Sequence, residues 1–185
     1  MPSDVTIFAA KYLIVIEALL AAALLAARLP RRPRATWVHW VTATGLMLIL
    51  AYAFKLAGAA AYTDPRPFVT DHIRPLLAHA PDNGFPSDHA LLAAALVAAV
   101  AFAAPLLALP VAILAVLVDC ARVGAGLHHV TDVVGSTLFV ALAASIALVL
   151  APGVSRILTP YLPAWLAPPT TPAGRKRTRP RISRP

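Results

Sequence analysis

Long apolar runs separated by a few polar stretches dominate this chain. Residues 5–27 are apolar apart from Lys11 and Glu17, and residues 36–61 form a second run of similar length. Each run can cross a hydrocarbon core of about 30 Å, which takes roughly 20 helical residues. A signal peptide carries positive charge before its apolar run, whereas here Asp4 precedes the run and arginines follow it. We therefore predict two retained transmembrane helices, with the N-terminus outside.

The third apolar run, residues 90–118, is too long for one ordinary span and too short for two. As a single helix, residues 89–128 would rise about 60 Å, which is twice the thickness of the hydrocarbon core. Pro105 and Pro110 interrupt helix continuation. We therefore predict a tight hairpin between two short spans at these prolines.

A last apolar run at residues 130–150 completes the pattern, and we predict that its helix ends at Pro152 and Gly153. The predicted fold class is all-α: an integral membrane helical bundle with about five transmembrane helices. Residues 1–160 are predicted to form the membrane-embedded domain. Residues 161–185 are predicted to form an interfacial segment and then a disordered basic cytoplasmic tail.

Composition supports a membrane protein, because 59% of the 185 residues are hydrophobic and only 13% are charged. A soluble domain usually has about a quarter of its residues charged. The net charge of +8 is concentrated beside the apolar runs, as the positive-inside rule predicts, so no nucleic-acid partner is expected. Five spans then place the C-terminus in the cytoplasm, where the basic tail would meet anionic lipid headgroups. Most of the positive charge lies in two clusters. The first is Arg28, Arg31, Arg32 and Arg34, and the second is Arg175, Lys176, Arg177, Arg179, Arg181 and Arg184.

Polar residues converge on the predicted outer side in three groups, at 64–68, 85–90 and 121–132. Cleaving a phosphate ester takes cations for the phosphoryl oxygens, a nucleophile, a group that orients it and an acid for the leaving oxygen. The arginine fork meets phosphate oxygens bidentately, which makes Arg66 and Arg122 candidate phosphate ligands.

The other candidates follow from their positions relative to helix starts. Ser87 precedes a predicted helix, where its hydroxyl and nearby backbone N–H groups could hold an anion. His128 and Asp132 lie four residues apart, a spacing that puts the carboxylate beside the imidazole and fixes its tautomer. His89 remains to protonate a leaving oxygen. Because the sequence shows no dense acidic cluster, we predict a mechanism that uses no metal and no cofactor.

Together these residues resemble the type 2 phosphatidic acid phosphatase superfamily, whose pattern is K-x6-R-P, then P-S-G-H, then S-R-x5-H-x3-D. Within it, the nearest resemblance is to bacterial undecaprenyl-diphosphatases of the bacitracin-resistance type. The phrases PRPF, FPSDHA and ARVGAGLHHVTDVVG carry the resemblance, and the motif region is residues 55–136. The matching residues are Arg66 and Pro67 in the first motif, Pro86, Ser87 and His89 in the second, and Arg122, His128 and Asp132 in the third.

This resemblance implies a phosphoenzyme mechanism in which His128 attacks the terminal phosphorus and Asp132 orients it. His89 would protonate the leaving group, and water would then hydrolyse the phosphohistidine. Arg66, Ser87 and Arg122 would hold the phosphate. The implied substrate is undecaprenyl diphosphate, whose product is the recycled carrier lipid of cell-wall synthesis. The implied location is the bacterial inner membrane, with the active site facing the extracytoplasmic side.

The chain departs from the family pattern at three positions. Ala121 replaces the serine before the third-motif arginine, and Asp88 replaces the glycine of the second motif. The first-motif lysine is expected at position 59, which is Ala59, and the nearest lysine is Lys55, one helical turn earlier. A lysine can reach outward by part of that turn, about 5 Å. We therefore include Lys55 as a candidate phosphate ligand, the alternative being a site that lacks this lysine.

Two rival functions stay open at this point. The first keeps the chemistry and changes the lipid to phosphatidic acid, phosphatidylglycerol phosphate or another polyprenyl phosphate. The second is a catalytically inactive relative that binds lipid phosphates. Several polar residues also keep alternative interpretations. Glu17, inside a span, is functional, is paired with another buried polar group, or is simply tolerated near a polar cavity. Four loop residues either shape a diphosphate site or are solvated, namely His72, His79, Asp82 and Asn83. His129 is interpreted as a bystander.

Overall fold

A computed structural model describes residues 2–161 of the chain. Met1 and residues 162–185 lie outside the described part, and the predicted basic tail falls there. Six α-helices form the described fold: α1 (Pro2–Arg28), α2 (Arg34–Ala61), α3 (Pro67–Thr70), α4 (Asp88–Ala103), α5 (Ala108–Gly124) and α6 (Val130–Leu158). Short 3-10 helices at Leu29–Arg31, Pro105–Leu107 and Thr159–Tyr161 accompany them. Between residues 2 and 161 there is no strand beyond one isolated bridge, so the all-α prediction is confirmed.

Four of these helices are long and apolar enough to cross a membrane, counting the flanking 3-10 turns: Asp4–Arg31, Arg34–Ala61, Pro105–Gly124 and Val130–Tyr161. The fifth apolar helix, α4, has only 16 residues and falls below this length. The structure therefore supports four spans by length and composition. A count of five, and the orientation of the termini, stay predictions.

Proline marks one helix boundary and fails to mark another. Helix α4 ends at Ala103, a 3-10 turn begins at Pro105, and α5 starts at Ala108, so the predicted break is present at Pro105. The prediction that Pro110 shares this break is wrong, because Pro110 lies in the first turn of α5. The predicted end at Pro152 is wrong, because α6 continues through this proline to Leu158. A proline inside a helix removes one backbone hydrogen bond. The lost bond is the one to the carbonyl of Leu148, and the helix nevertheless continues for six residues beyond Pro152.

Helix α4 lies at the centre of the bundle and contacts α1, α2, α5 and α6. The buried faces are mostly alanine, so the helix backbones can approach closely. One cluster joins α2, α4 and α6 through Met47, Ala51, Ala95, Val140, Ala143 and Ala147. Another joins α1, α4 and α5 through Ile14, Ala93, Ala115 and Val118. This close packing holds the ends of the helices in fixed positions relative to one another.

Glu17 is fully buried in α1. Neither of its carboxylate oxygens has a hydrogen-bond partner among residues 2–161. The pairing that we considered for this residue is therefore absent from the described structure.

Candidate active site

Four helix ends meet around one cavity: the C-terminal ends of α2 and α5 and the N-terminal ends of α4 and α6. The loop between α2 and α4 covers it. The cavity has a volume of about 300 Å³, within the range of small-ligand sites. Its lining is strongly polar for a membrane protein and contains Lys55, Ala59, Arg66, His79, Asp82, Asn83, Phe85, Pro86, Asp88, His89, Arg122 and His128. Of the seven residues that the sequence proposed, five line this cavity.

His128 and Asp132 form a buried pair at the start of α6. The His128 Nδ1 lies 3.2 Å from Asp132 Oδ2 and 3.1 Å from the carbonyl oxygen of Gly84. Its Nε2 lies 3.2 Å from the NH1 group of Arg66, which can only donate. These contacts assign the proton to Nδ1 and leave Nε2 unprotonated, with Arg66 NH1 as its donor. The side chains of His128 and Asp132 are only 3% and 0% exposed.

Burial lowers the pKa of His128 below its usual value, and the positive charges of Arg66 and Arg122 lower it further. The hydrogen bond to Asp132 acts in the opposite direction but does not overcome burial. Because the imidazole then stays neutral at neutral pH, its Nε2 can act as a nucleophile.

Asp132 owes its position to the backbone around it. Its Oδ2 also accepts a hydrogen bond from the backbone N–H of His129 at 2.9 Å. A Cβ at Gly84 would lie 2.9 Å from that same oxygen and 3.1 Å from the carbonyl of Asp64. Only glycine leaves room here, so Gly84 is a site residue that the sequence did not single out.

Arg66 is fixed by three contacts and is 5% exposed. Its Nε donates to Asp82 Oδ1 at 2.6 Å, and NH1 donates to the backbone carbonyl of Leu127 at 2.9 Å and faces His128. The hydrogen bond from Arg66 lowers the pKa of Asp82, which stays ionised. Asp82 is therefore the residue that orients the arginine fork.

Arg122 and Ser87 differ in their position relative to the cavity. Arg122 lines the cavity and is 5% exposed, and its Nε has no hydrogen-bond partner among residues 2–161. Buried donors are normally paired, so an anion in the cavity would supply the missing acceptor. Ser87 caps α4, where its hydroxyl accepts from the Ala90 N–H at 3.5 Å. It lies behind the cavity wall, as does Asp132.

A serine that the sequence did not suggest joins the starts of α4 and α6. The hydroxyl of Ser136 lies 2.9 Å from the carbonyl oxygen of Ser87 and 2.8 Å from that of Asp132. Because Ser136 is fully buried, this bridge fixes the second and third motifs relative to each other. Spacing within one motif could not reveal a bridge between two.

Lys55 and Asp88 contact each other across the cavity, from α2 and α4, as an ion pair. Ala59, where the family pattern places lysine, lines the same cavity one turn nearer the end of α2. His89 also lines the cavity and is partly buried. The structure thus brings both histidines and all three candidate cations together.

The loop residues divide into two groups. His79, Asp82 and Asn83 line the cavity, whereas His72 is exposed and does not. The Oδ1 of Asn83 accepts from the backbone N–H groups of Asp64 at 2.9 Å and Phe85 at 3.0 Å, which folds the loop over the site.

His129 lies outside the cavity, between two carboxylates of the loop. Its Nδ1 is 3.2 Å from Asp64 Oδ1, and its Nε2 is 3.6 Å from Asp71 Oδ2. Asp64, His129 and Asp132 could each offer one ligand atom to a metal ion, with these atoms within 4.8 Å of one another. The absence of a metal requirement therefore stays a prediction that needs a measurement.

The helical bundle and this histidine–arginine cavity define a class, and sequence comparison identifies it. The profile of the PAP2 superfamily matches residues 40–156, a range that contains every proposed site residue. The chain belongs to the PAP2 superfamily. This membership and the four long apolar helices make it a multi-pass membrane protein.

One curated relative is the undecaprenyl-diphosphatase BcrC of Bacillus subtilis (strain 168). It is 33% identical over 89 residues, which are 48% of this chain and 44% of that protein. The chain thus aligns with less than half the length of the relative. No solved structure is significantly similar to the chain.

Proposed function

We propose that the protein is a lipid-phosphate phosphatase that hydrolyses undecaprenyl diphosphate to undecaprenyl phosphate, the carrier lipid of cell-wall synthesis. The observation that carries this proposal is the buried His128, which lines the cavity and has its unprotonated Nε2 3.2 Å from Arg66 NH1. The name of the Bacillus relative supports the choice of a polyprenyl diphosphate over other lipid phosphates.

The geometry supports a two-step displacement. The Nε2 of His128 attacks the terminal phosphorus, a P–N bond forms, and the bond from phosphorus to the bridging oxygen breaks. His89 donates its proton to that oxygen, so undecaprenyl phosphate leaves as a stable anion. Asp132 stabilises the positive charge that develops on the imidazole. Water then attacks the phosphorus, the P–N bond breaks and returns neutral His128, His89 takes up the water proton, and inorganic phosphate is released.

The charges in the cavity suit a phosphate anion. Arg66, Arg122 and Lys55 supply three positive charges, and Asp82 and Asp88 offset part of them. Preorganised cations around a transferring phosphoryl group stabilise the charge of the transition state without further rearrangement. The unpaired Nε of Arg122 gives this arrangement a place for a phosphoryl oxygen.

We further propose that α4 is the fifth span and that the cavity faces the extracytoplasmic side of the bacterial inner membrane. Helix α2 has 28 residues and is about 42 Å long, so the arginines near residues 28–34 lie at the far end of the bundle from the cavity. The positive-inside rule assigns such a cluster to the cytoplasm. The N-terminus is then outside, and the basic tail lies in the cytoplasm beside anionic headgroups.

Phosphate release from purified protein in detergent micelles tests the function. The substrates are undecaprenyl diphosphate, phosphatidic acid and phosphatidylglycerol phosphate, compared for the wild type, His128→Ala and His39→Ala. We expect the wild type to release phosphate fastest from the diphosphate. His39 lies in α2 outside the cavity, so His39→Ala should behave like the wild type, whereas phosphate release by His128→Ala should fall to background.

Three results would contradict the proposal. Release that survives His128→Ala would exclude the phosphohistidine mechanism. A clear preference for a glycerolipid phosphate would exclude the proposed substrate. Lipid binding without any release would identify an inactive relative.

A further inference from the structure

Two departures from the superfamily pattern contact each other in this protein. Lys55 lies one turn before the position of the motif lysine, and Asp88 occupies the position of the motif glycine. The Nζ of Lys55 and Oδ1 of Asp88 form an ion pair, and both residues line the phosphate cavity. We propose that Asp88 is a positioning residue that holds Lys55 toward the lipid phosphate, an inference that rests on the proposed function.

The displacement of the lysine creates the need for such a residue. Four residues of helix separate positions 55 and 59, a rise of about 6 Å along α2. A lysine at 59 would start beside the cavity end of α2, whereas Lys55 must extend its flexible stem toward that end. A carboxylate opposite it selects the extended conformation from the many that this stem can adopt.

Asp88 is well placed to select that conformation. It is the first residue of α4, directly after the capping Ser87, so its backbone position is fixed. The Lys55 ammonium also lies 5.9 Å from the ring centre of Tyr52, one turn back on α2. Without the carboxylate, that ring and the solvent are the alternatives available to the ammonium.

The solvent exposure of the Lys55–Asp88 ion pair indicates whether its loss changes folding stability or phosphate binding. The side chain of Asp88 is 70% exposed and that of Lys55 is 26% exposed. Ion pairs with this much solvent contribute little to stability. The consequence of removing Asp88 should therefore appear in phosphate binding and leave folding unchanged.

A second interpretation of Asp88 predicts the opposite change of the KM when Asp88 is removed. A carboxylate in a phosphate cavity repels the substrate, so an Asp88 that only added negative charge would weaken binding, and its removal would improve the KM. If Asp88 positions Lys55, its removal raises the KM although one negative charge has gone. The direction of the change thus separates the two interpretations.

The experiment compares Asp88→Gly in two enzymes that differ in where the lysine lies. One keeps Lys55, and the other carries Lys55→Ala with Ala59→Lys, which moves the lysine to the family position. With Lys55 in place, we expect Asp88→Gly to raise the KM for the lipid diphosphate about tenfold, as expected when an ammonium loses its orienting partner. In the relocated enzyme we expect a change of less than about twofold, since a lysine at 59 needs no such partner.

Each remaining outcome has one meaning. An equal rise of the KM in both enzymes, or an unchanged or lower KM in the enzyme that keeps Lys55, would overturn the positioning role. Asp71→Asn removes an exposed loop carboxylate outside the cavity and controls for loss of negative charge. His128→Ala reports on the proposed function separately, because turnover must vanish there whatever Asp88 does. If the wild type shows no turnover, titration with inorganic phosphate gives the same comparison as a ratio of Kd values.

Discussion

Replacing Asp132 by asparagine tests the central pair of the site, because it removes one charge and keeps the shape of the side chain. The Nδ1 of His128 lies 3.2 Å from Asp132 Oδ2. At an effective dielectric constant of about 20, a carboxylate at this distance stabilises a positive imidazole by about 5 kcal/mol. An amide oxygen retains a neutral hydrogen bond worth about 1 kcal/mol. The remaining difference, about 4 kcal/mol, predicts that kcat falls about a thousandfold.

The same variant shifts the pH dependence in a defined direction. Asp132 favours the protonated form of His128, so its loss lowers the pKa of His128, which burial already keeps below its usual value. The acid limb of the kcat/KM profile reports the free enzyme, and a nucleophile must be unprotonated. We therefore expect this limb to move to lower pH in Asp132→Asn.

Phosphate release from undecaprenyl diphosphate between pH 4.5 and 8.5 measures both effects, and circular dichroism checks that the helices are intact. A fall of less than about tenfold in kcat would show that the charge of Asp132 does not act on the reacting imidazole. An acid limb that moves to higher pH would refute the assigned roles of burial and hydrogen bonding.

Two further changes test the backbone and the metal-free mechanism. Gly84→Ala places a Cβ 2.9 Å from Asp132 Oδ2, so we expect kcat to fall about tenfold or more. Gly45→Ala, whose Cβ meets no atom within 4 Å, should leave kcat unchanged, and equal effects would exclude the steric explanation. Treatment with EDTA should leave phosphate release undiminished. A loss that divalent metal restores would instead point to the Asp64, His129 and Asp132 group.

The sequence predicted the parts of this protein that depend on local spacing. Apolar run length predicted the four long helices, and Pro105 predicted the break before α5. The i, i+4 spacing of His128 and Asp132 predicted a pair that the structure places 3.2 Å apart. These predictions succeed because helix geometry converts sequence separation directly into distance.

Contacts between separate elements could not be predicted in this way. Asp82 pairs with Arg66 across 16 residues of loop, and Ser136 bonds to the carbonyl of Ser87 across 49 residues. Neither pair has a helical or strand spacing. The sequence around Pro152 also does not show whether the helix ends there or continues. Such contacts depend on how the helices pack, which is a property of the whole chain.

The shortness of α4 has a consequence for the depth of the cavity. Its 16 residues rise about 24 Å, some 6 Å less than the hydrocarbon core that a span must match. Because α1, α2, α5 and α6 enclose α4, its first residue Asp88 lies level with Lys55, six residues before the end of α2. The phosphate cavity then lies at or below headgroup depth. The proposed lipid diphosphate would therefore reach His128 by lateral diffusion, with its tail still in the bilayer.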